Sequence, residues 1–198
     1  RVRTSAENAD TLSRLDRLSS QLEGDAVDVV VWPEAAYPQE WPRERTRDFP
    51  LDDGRRVRRT FSTPLLFGTM SRAAATASSP QPAYNSAVML DAKGEVAGTF
   101  DKVSLVPFSE YVPFDDQFPS LSGLLRAGTR LGRGEGPVAL PLRVGDRTFR
   151  LGPLICYEDV LPGFVRRVAA LHPHLLVNVT NDAWFGASSE PYEHLALA

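Results

Sequence analysis

Hydrophobic positions along the chain change their spacing several times, and each change marks an element. In TSAENADTLSRLDRLSSQLEG (4–24), Leu12, Leu15, Leu18 and Leu22 recur at three- and four-residue intervals, which predicts an amphipathic helix ended by Gly24. VDVVVW (27–32) is a continuous β-branched run of the kind expected for a strand buried on both faces, and it stops at Pro33. Residues 38–60 are rich in Arg, Asp and Pro and predict an irregular connection with at most a short helix. TPLLFGTMSR (63–72) predicts a second buried strand, and the small residues of 75–82 a surface loop. YNSAVMLDAKGEVAGTFDKVSLVP (84–107) alternates around AKGE, and PVALPLRVGDRTFRLGPLICYE (137–158) around VGDR, so each predicts a β-hairpin. Between them, 108–136 is dense in Pro, Gly and aromatics and predicts loop. PGFVRRVAALH (162–172) predicts a helix with Pro at its start, HLLVNVTNDAWFG (174–186) a strand running into a polar and aromatic loop, and EPYEHLALA the first turns of another helix. Helices mixed with buried strands and hairpins predict α/β layering in one domain spanning 1–198.

Composition narrows the class. The 198 residues suit one domain with a sizeable core, and the net charge of −3 gives no support for nucleic-acid binding. A single cysteine rules out an intrachain disulfide framework and a multi-cysteine metal site. No apolar run approaches the ~18 residues a membrane span needs. The chain opens without Met directly into a helical pattern and stops within another, so both ends read as cut edges. Of 22 basic residues only Lys93 and Lys102 are lysine. Lys93 sits in a turn, whereas Lys102 stands at a strand end where arginine would serve an ordinary solvated site equally well.

Three polar residues share that placement. Glu34 follows VVVWP, Lys102 closes VAGTFD, and Cys156 follows RLGPLI, each at the C-terminal end of a predicted strand, where sites assemble in open α/β sheets. Taken singly, each has a plain explanation: a buried core thiol, a solvated loop acid, a surface cation. Together they form a coherent set for acyl transfer. A carboxylate takes the thiol proton as general base, and a compact ammonium, with the Tyr157 backbone N–H, stabilises the oxyanion formed when sulfur attacks a carbonyl.

VVVWPEAAYP, FDKVSLVPFSEYVP, GPLICYEDVLP and LLVNVTNDAWFG, in that order, resemble the nitrilase (carbon–nitrogen hydrolase) superfamily and, within it, the apolipoprotein N-acyltransferase family. The resemblance covers roughly residues 5–198. It implies a nitrilase-like α-β-β-α sandwich, a catalytic domain that is partial and cut at both ends, and a catalytic triad of Glu34, Lys102 and Cys156. It further implies Glu110 as an active-site carboxylate near the lysine, Tyr157 and Glu158 as supporting residues, and Trp184 and Phe185 at the mouth where acyl chains enter. The implied reaction moves an acyl chain from a phospholipid to the N-terminal diacylglyceryl-cysteine amine of an apolipoprotein, through a Cys thioester. The implied place is the periplasmic, outer face of the bacterial inner membrane, reached through segments outside this chain, with no cofactor. The alternative is a soluble nitrilase-type amidase using the same triad on a small amide.

Other features are less specific. Phe108, Tyr111, Phe114, Phe118, Leu121, Leu124 and Leu125 give the 108–136 loop much apolar surface, as satellite core or as a membrane-resting lid. LGRGEG (131–136) lacks the context of a phosphate loop and predicts a mobile one. His172 and His174 read as helix-end residues and His194 as part of the terminal helix. No arrangement resembles a zinc site, and a pairing of Cys156 with a histidine has no motif behind it.

Overall fold

The computed structural model describes residues 4–23, 25, 27–74, 81–114, 130–182 and 188–198. Helix α1 (Ser5–Glu23) leads into β1 (Val30–Trp32), β2 (Trp41–Pro42), β3 (Leu65–Arg72), β4 (Ala83–Leu90) and β5 (Val96–Asp101). Then come β6 (Leu140–Val144), β7 (Arg147–Ile155), a 3-10 turn over Cys156–Glu158, α2 (Pro162–Ala169), β8 (Leu175–Val179) and α3 (Glu190–Leu197). Among the described residues these strands form two sheets. The first runs β1-β3-β4-β5, with β2 beside β1 on the same edge of β3; the second runs β6-β7-β8. Both predicted hairpins are present as antiparallel pairs, β4 with β5 and β6 with β7.

The continuous apolar runs have a simple cause. Successive residues of β3 and β4 point to opposite faces, and both faces are cores. Leu66, Ala87 and Met89 meet Phe100, Leu151 and Ile155 between the sheets. Leu65, Phe67, Val88 and Leu90 meet Trp32 and Leu12 of α1 on the other side. α2 lies over β7, where even a Cβ on Gly152 would come within 2.8 Å of Val168. The helices thus flank two facing sheets, which is the α/β sandwich expected.

Two local expectations are corrected and a third is sharpened. In α1 the buried residues are Leu12, Asp16 and Ser19, while Leu18 and Leu22 are exposed. Polar contacts account for this: Asp16 accepts from the Arg59 and Thr60 backbone N–H groups, and Ser19 Oγ accepts from Trp32 Nε1 at 2.8 Å. β1 is shorter than its apolar run, and Val31 points outward at 42% exposure between the buried Val30 and Trp32. The 38–60 connection holds no helix and is well built. Buried Asp48 accepts from the backbone N–H groups of Phe49, Val57 and Arg58, and Trp41 packs edge-on against Tyr37, Phe49 and Phe67 at 5.3–6.1 Å.

Gly68, in the middle of β3, sets the distance between this sheet and the loop leaving β1. A Cβ there would lie 2.4 Å from the Pro33 carbonyl oxygen and 2.6 Å from the Glu34 Cα, while the Gly68 carbonyl accepts from Tyr37 N–H. Only a residue without Cβ permits that approach. Gly68→Ala is expected to destabilise the protein by about 1–3 kcal/mol, as overpacking does, and urea unfolding of the variant measures it; an unchanged midpoint would show that the loop yields freely.

Candidate active site

The strand directions bring the polar ends together. β1 is parallel to β3, β4 is antiparallel to β3, and β5 is antiparallel to β4, so β1 and β5 end on the same edge. Glu34 lies two residues beyond β1, with Ala35 turning the chain at φ +49°. Lys102 directly follows β5, and its N–H donates to the Asn85 carbonyl on β4 at 2.8 Å. Because β4 runs the other way, its N-terminal end delivers Asn85 to that edge. Cys156 directly follows β7 at φ +54°. A left-handed backbone on a non-glycine residue costs roughly 1–2 kcal/mol, and such strain is held in place by surrounding structure. These residues face a cavity of about 820 Å³ that Glu34, Asn85, Lys102, Glu110, Cys156 and Asn181 help to line, along with apolar side chains that include Leu105, Val106 and Leu161.

The Lys102 ammonium is 1% exposed, with Nζ 2.8 Å from Glu110 Oε1 and 3.9 Å from Glu34 Oε1. Each carboxylate is fixed in turn. Glu110 Oε2 accepts from the Val106 N–H at 2.8 Å, and Glu34 Oε1 accepts from Asn85 Nδ2 at 2.7 Å. Burial pulls the lysine pKa down, but the Cys156 sulfur once ionised, together with Glu110 and Glu34, outweighs it and the pKa rises; at neutral pH the two carboxylates face the charged ammonium. Burial is also the main reason that the Glu34 pKa is raised, with Asn85 and Lys102 only partly opposing it. The Cys156 thiol is pushed up to about 12, first by burial and then by Glu34, with Lys102 offsetting part. At neutral pH the sulfur is therefore protonated, beside a carboxylate made more basic by its surroundings.

Glu158 is fully buried and accepts from three backbone N–H groups, those of Val103 (2.8 Å), Ser104 (2.9 Å) and Ile155 (3.0 Å). It fastens the lysine loop to the turn that carries Cys156. The Tyr157 ring stacks on His194 with centroids 4.6 Å apart. The structure thus brings together Glu34, Lys102, Glu110, Cys156, Tyr157 and Glu158, whereas Trp184 and Phe185 lie outside the described residues. So do Phe118, Leu121, Leu124 and Leu125. Of the remaining loop aromatics, Phe108 and Phe114 are 62% and 69% exposed, so they do not fold back as core. The LGRGEG segment is pinned: Gly132 N–H donates to the Ala83 carbonyl and Gly134 N–H to the Lys102 carbonyl.

Sequence reasoning missed Asn85, Gly68 and His194. For Asn85 the signal was a polar amide opening an otherwise apolar strand; for Gly68, a glycine inside a buried one. His194 is 3% exposed and contacts Asp159 and Asp182 at 3.1 Å each, which no local pattern announces.

Comparison with known proteins adds three findings. The carbon-nitrogen hydrolase family profile matches residues 3–198. Proteins named apolipoprotein N-acyltransferase from Bdellovibrio bacteriovorus and Chlorobaculum tepidum are 35% and 31% identical over 86% and 95% of this chain. The chain spans 31% and 38% of their lengths, about a third. Among solved structures, an amidase from Nesterenkonia sp. AN1, with the acetamide moiety of fluoroacetamide on its active site cysteine, superposes with a TM-score of 0.56 at 18% identity, covering 96% of this chain and 65% of that one. A glutamine-dependent NAD+ synthetase from Acinetobacter baumannii gives 0.55 at 15% identity over 88% of this chain and 30% of that one, and both likenesses concern the fold.

The burial of Glu34 has a measurable consequence. Its folded pKa lies above the unfolded value, so its contribution to stability is fully present below about 4.5 and is lost as pH rises through the folded pKa. Glu34→Gln does not ionise and still accepts from Asn85. It is expected to raise Tm at pH 7 by roughly 2–4 °C, the equivalent of about 1 kcal/mol, and the gain should shrink as pH falls through the folded pKa and be gone below about 4.5. Calorimetry across pH 4–8 checks both; a lower Tm at pH 7 would show that the Lys102 pairing outweighs desolvation.

Proposed function

The chain belongs to the carbon–nitrogen hydrolase family, and on that footing we propose that it transfers an acyl chain from a phospholipid to the N-terminal diacylglyceryl-cysteine amine of apolipoproteins, with Cys156 as nucleophile. The observation that carries this is the convergence of a neutral buried thiol, a buried ammonium and two carboxylates in one cavity with apolar walls. The naming of the relatives supports the choice of acyl donor and acceptor.

The chemistry follows from the protonation states. As Cys156 Sγ attacks the ester carbonyl of the phospholipid, Glu34 takes the thiol proton, so that no free thiolate has to exist in advance. Negative charge develops on the carbonyl oxygen, where the Lys102 ammonium and the Tyr157 backbone N–H stabilise it. The tetrahedral intermediate collapses to a thioester as the lysophospholipid oxygen leaves with the proton held by Glu34. In the second half-reaction the acceptor amine attacks the thioester, Glu34 takes a proton from nitrogen, and the thiol is restored. Glu110 keeps Lys102 charged and in place, and Glu158 keeps the lysine loop against the nucleophile turn. The apolar walls suit an acyl chain and a mouth that excludes water, which is what separates transfer from hydrolysis.

The same reading places the domain on the periplasmic face of the bacterial inner membrane. Among the described residues no helix is long and apolar enough to cross a membrane.

Intact-mass measurement of the full-length protein after incubation with phospholipid is expected to show an acyl adduct that vanishes in Cys156→Ala and is discharged by an N-terminal diacylglyceryl-cysteine peptide. An adduct that persists in the variant, or ammonia released from a small amide without any lipid, would overturn the assignment. Lys102→Arg is expected to lower kcat by roughly 10²–10³ with KM little changed, because a planar guanidinium cannot reproduce the point charge between Glu34 and Glu110; single-turnover acylation rates measure it.

A further inference from the structure

Behind the nucleophile lies a chain of polar contacts that Glu34, Lys102 and Glu110 do not join. Asn178 Nδ2 donates to the Cys156 carbonyl at 3.2 Å and also to Asp159 Oδ2. Asp159 Oδ1 stands 3.1 Å from His194 Nε2, and the other ring nitrogen, Nδ1, stands 3.1 Å from Asp182 Oδ1. Thr180 Oγ1 donates to that same Asp182 oxygen at 3.2 Å. The circuit therefore starts at the Cys156 carbonyl and ends at Thr180. It draws on the turn after β7, on β8, on the loop beyond β8 and on α3.

His194 is the keystone of that circuit for a chemical reason. Ionised carboxylates only accept hydrogen bonds, and here one faces each ring nitrogen. A neutral imidazole has a single N–H and serves one of them, leaving its bare lone pair against the other; an imidazolium donates to both. We propose that His194 is held as an imidazolium and is a positioning residue for Cys156, fixing the left-handed nucleophile turn through Asp159 and Asn178, while Asp182, itself held by Thr180, braces the other side of the ring. The proposal rests on Cys156 being the nucleophile.

The surroundings agree. The groups facing the ring are Asp159 from the nucleophile turn, Asp182 from the loop after β8 and the stacked Tyr157 ring; Glu193 on its own helix is turned to Ser189. Burial works against the charge, but the two carboxylates outweigh it and raise the pKa above its usual 6.5. The contribution to stability and positioning is therefore complete below pH 6.5 and is lost as pH rises through the folded value. Stacking on Tyr157 gives the same imidazole a hold on the residue whose backbone N–H faces the oxyanion.

The test uses the full-length protein and 4-nitrophenyl acetate, an activated ester that reports Cys156 acylation without lipid. In wild type, the ¹⁵N signals of His194 are expected to show both ring nitrogens protonated at pH 7, and the acylation rate to lose ground as pH rises through the His194 titration. His194→Gln is expected to acylate about tenfold more slowly at pH 7 and to lack that descending limb. Asn178→Ala breaks the circuit at the Cys156 carbonyl; it should slow acylation several-fold and leave the His194 titration in place, and it carries the test if His194→Gln does not fold. A neutral His194 at pH 7, a descending limb retained in His194→Gln, or an unchanged rate in Asn178→Ala each overturns the proposal. Failure of the underlying assignment looks different: Cys156→Ala would then still be acylated by the ester.

Discussion

A lysine ammonium removed from water stays charged only if anions replace its hydration, and the site is organised around that requirement at Lys102. Glu110 touches the ammonium and Glu34 stands one step further away. Neither acid is free to drift, since Val106 N–H holds one and Asn85 holds the other. Two carboxylates around one cation leave an excess of negative charge in a poorly solvated place. Burial above all, with Glu34 adding to it, keeps the thiol protonated, and burial makes Glu34 a stronger base than a solvated glutamate, so one withdrawal from water prepares both partners of the proposed proton transfer.

Geometry delivers these groups because each stands where a strand stops. Pro33 ends β1, and the missing Cβ of Gly68 lets the following loop settle on β3. Glu158 replaces water for three backbone N–H groups and so joins the end of β5 to the end of β7. The two sheets share the Leu66, Met89, Leu151 and Ile155 core, and this packing carries the cysteine of the second sheet to the acid and the base of the first.

Much of this was legible in the chain. The apolar runs located the strands, and the only lysine at a strand end, in a protein that otherwise prefers arginine, marked the cation. What escaped had no local signature. Leu18 and Leu22 continue the spacing of Leu12 yet face outward, because Asp16 and Ser19 dock the helix through hydrogen bonds that hydrophobic periodicity does not register. Trp41, Phe49 and Val57 form core from a stretch without any period, since loop side chains need no regular spacing when a buried Asp48 organises the backbone. His194 is 38 positions from Cys156, and its neighbours Asp159 and Asp182 come from two other segments, so only the fold reveals that they meet.

The double-sided character of β3 and β4 bears on how such a protein evolves. Their odd and even positions belong to different cores, and Gly68 and Asn85 sit in the same register as those core residues. Inserting or deleting one residue in either strand would exchange the two cores side for side and, in the same stroke, turn the site residues away from the cavity. Gly68 and Asn85 apart, side chains in these strands are more open to replacement than the strand lengths are to change, so divergence in relatives should accumulate as replacements within the strands and as gaps only between them.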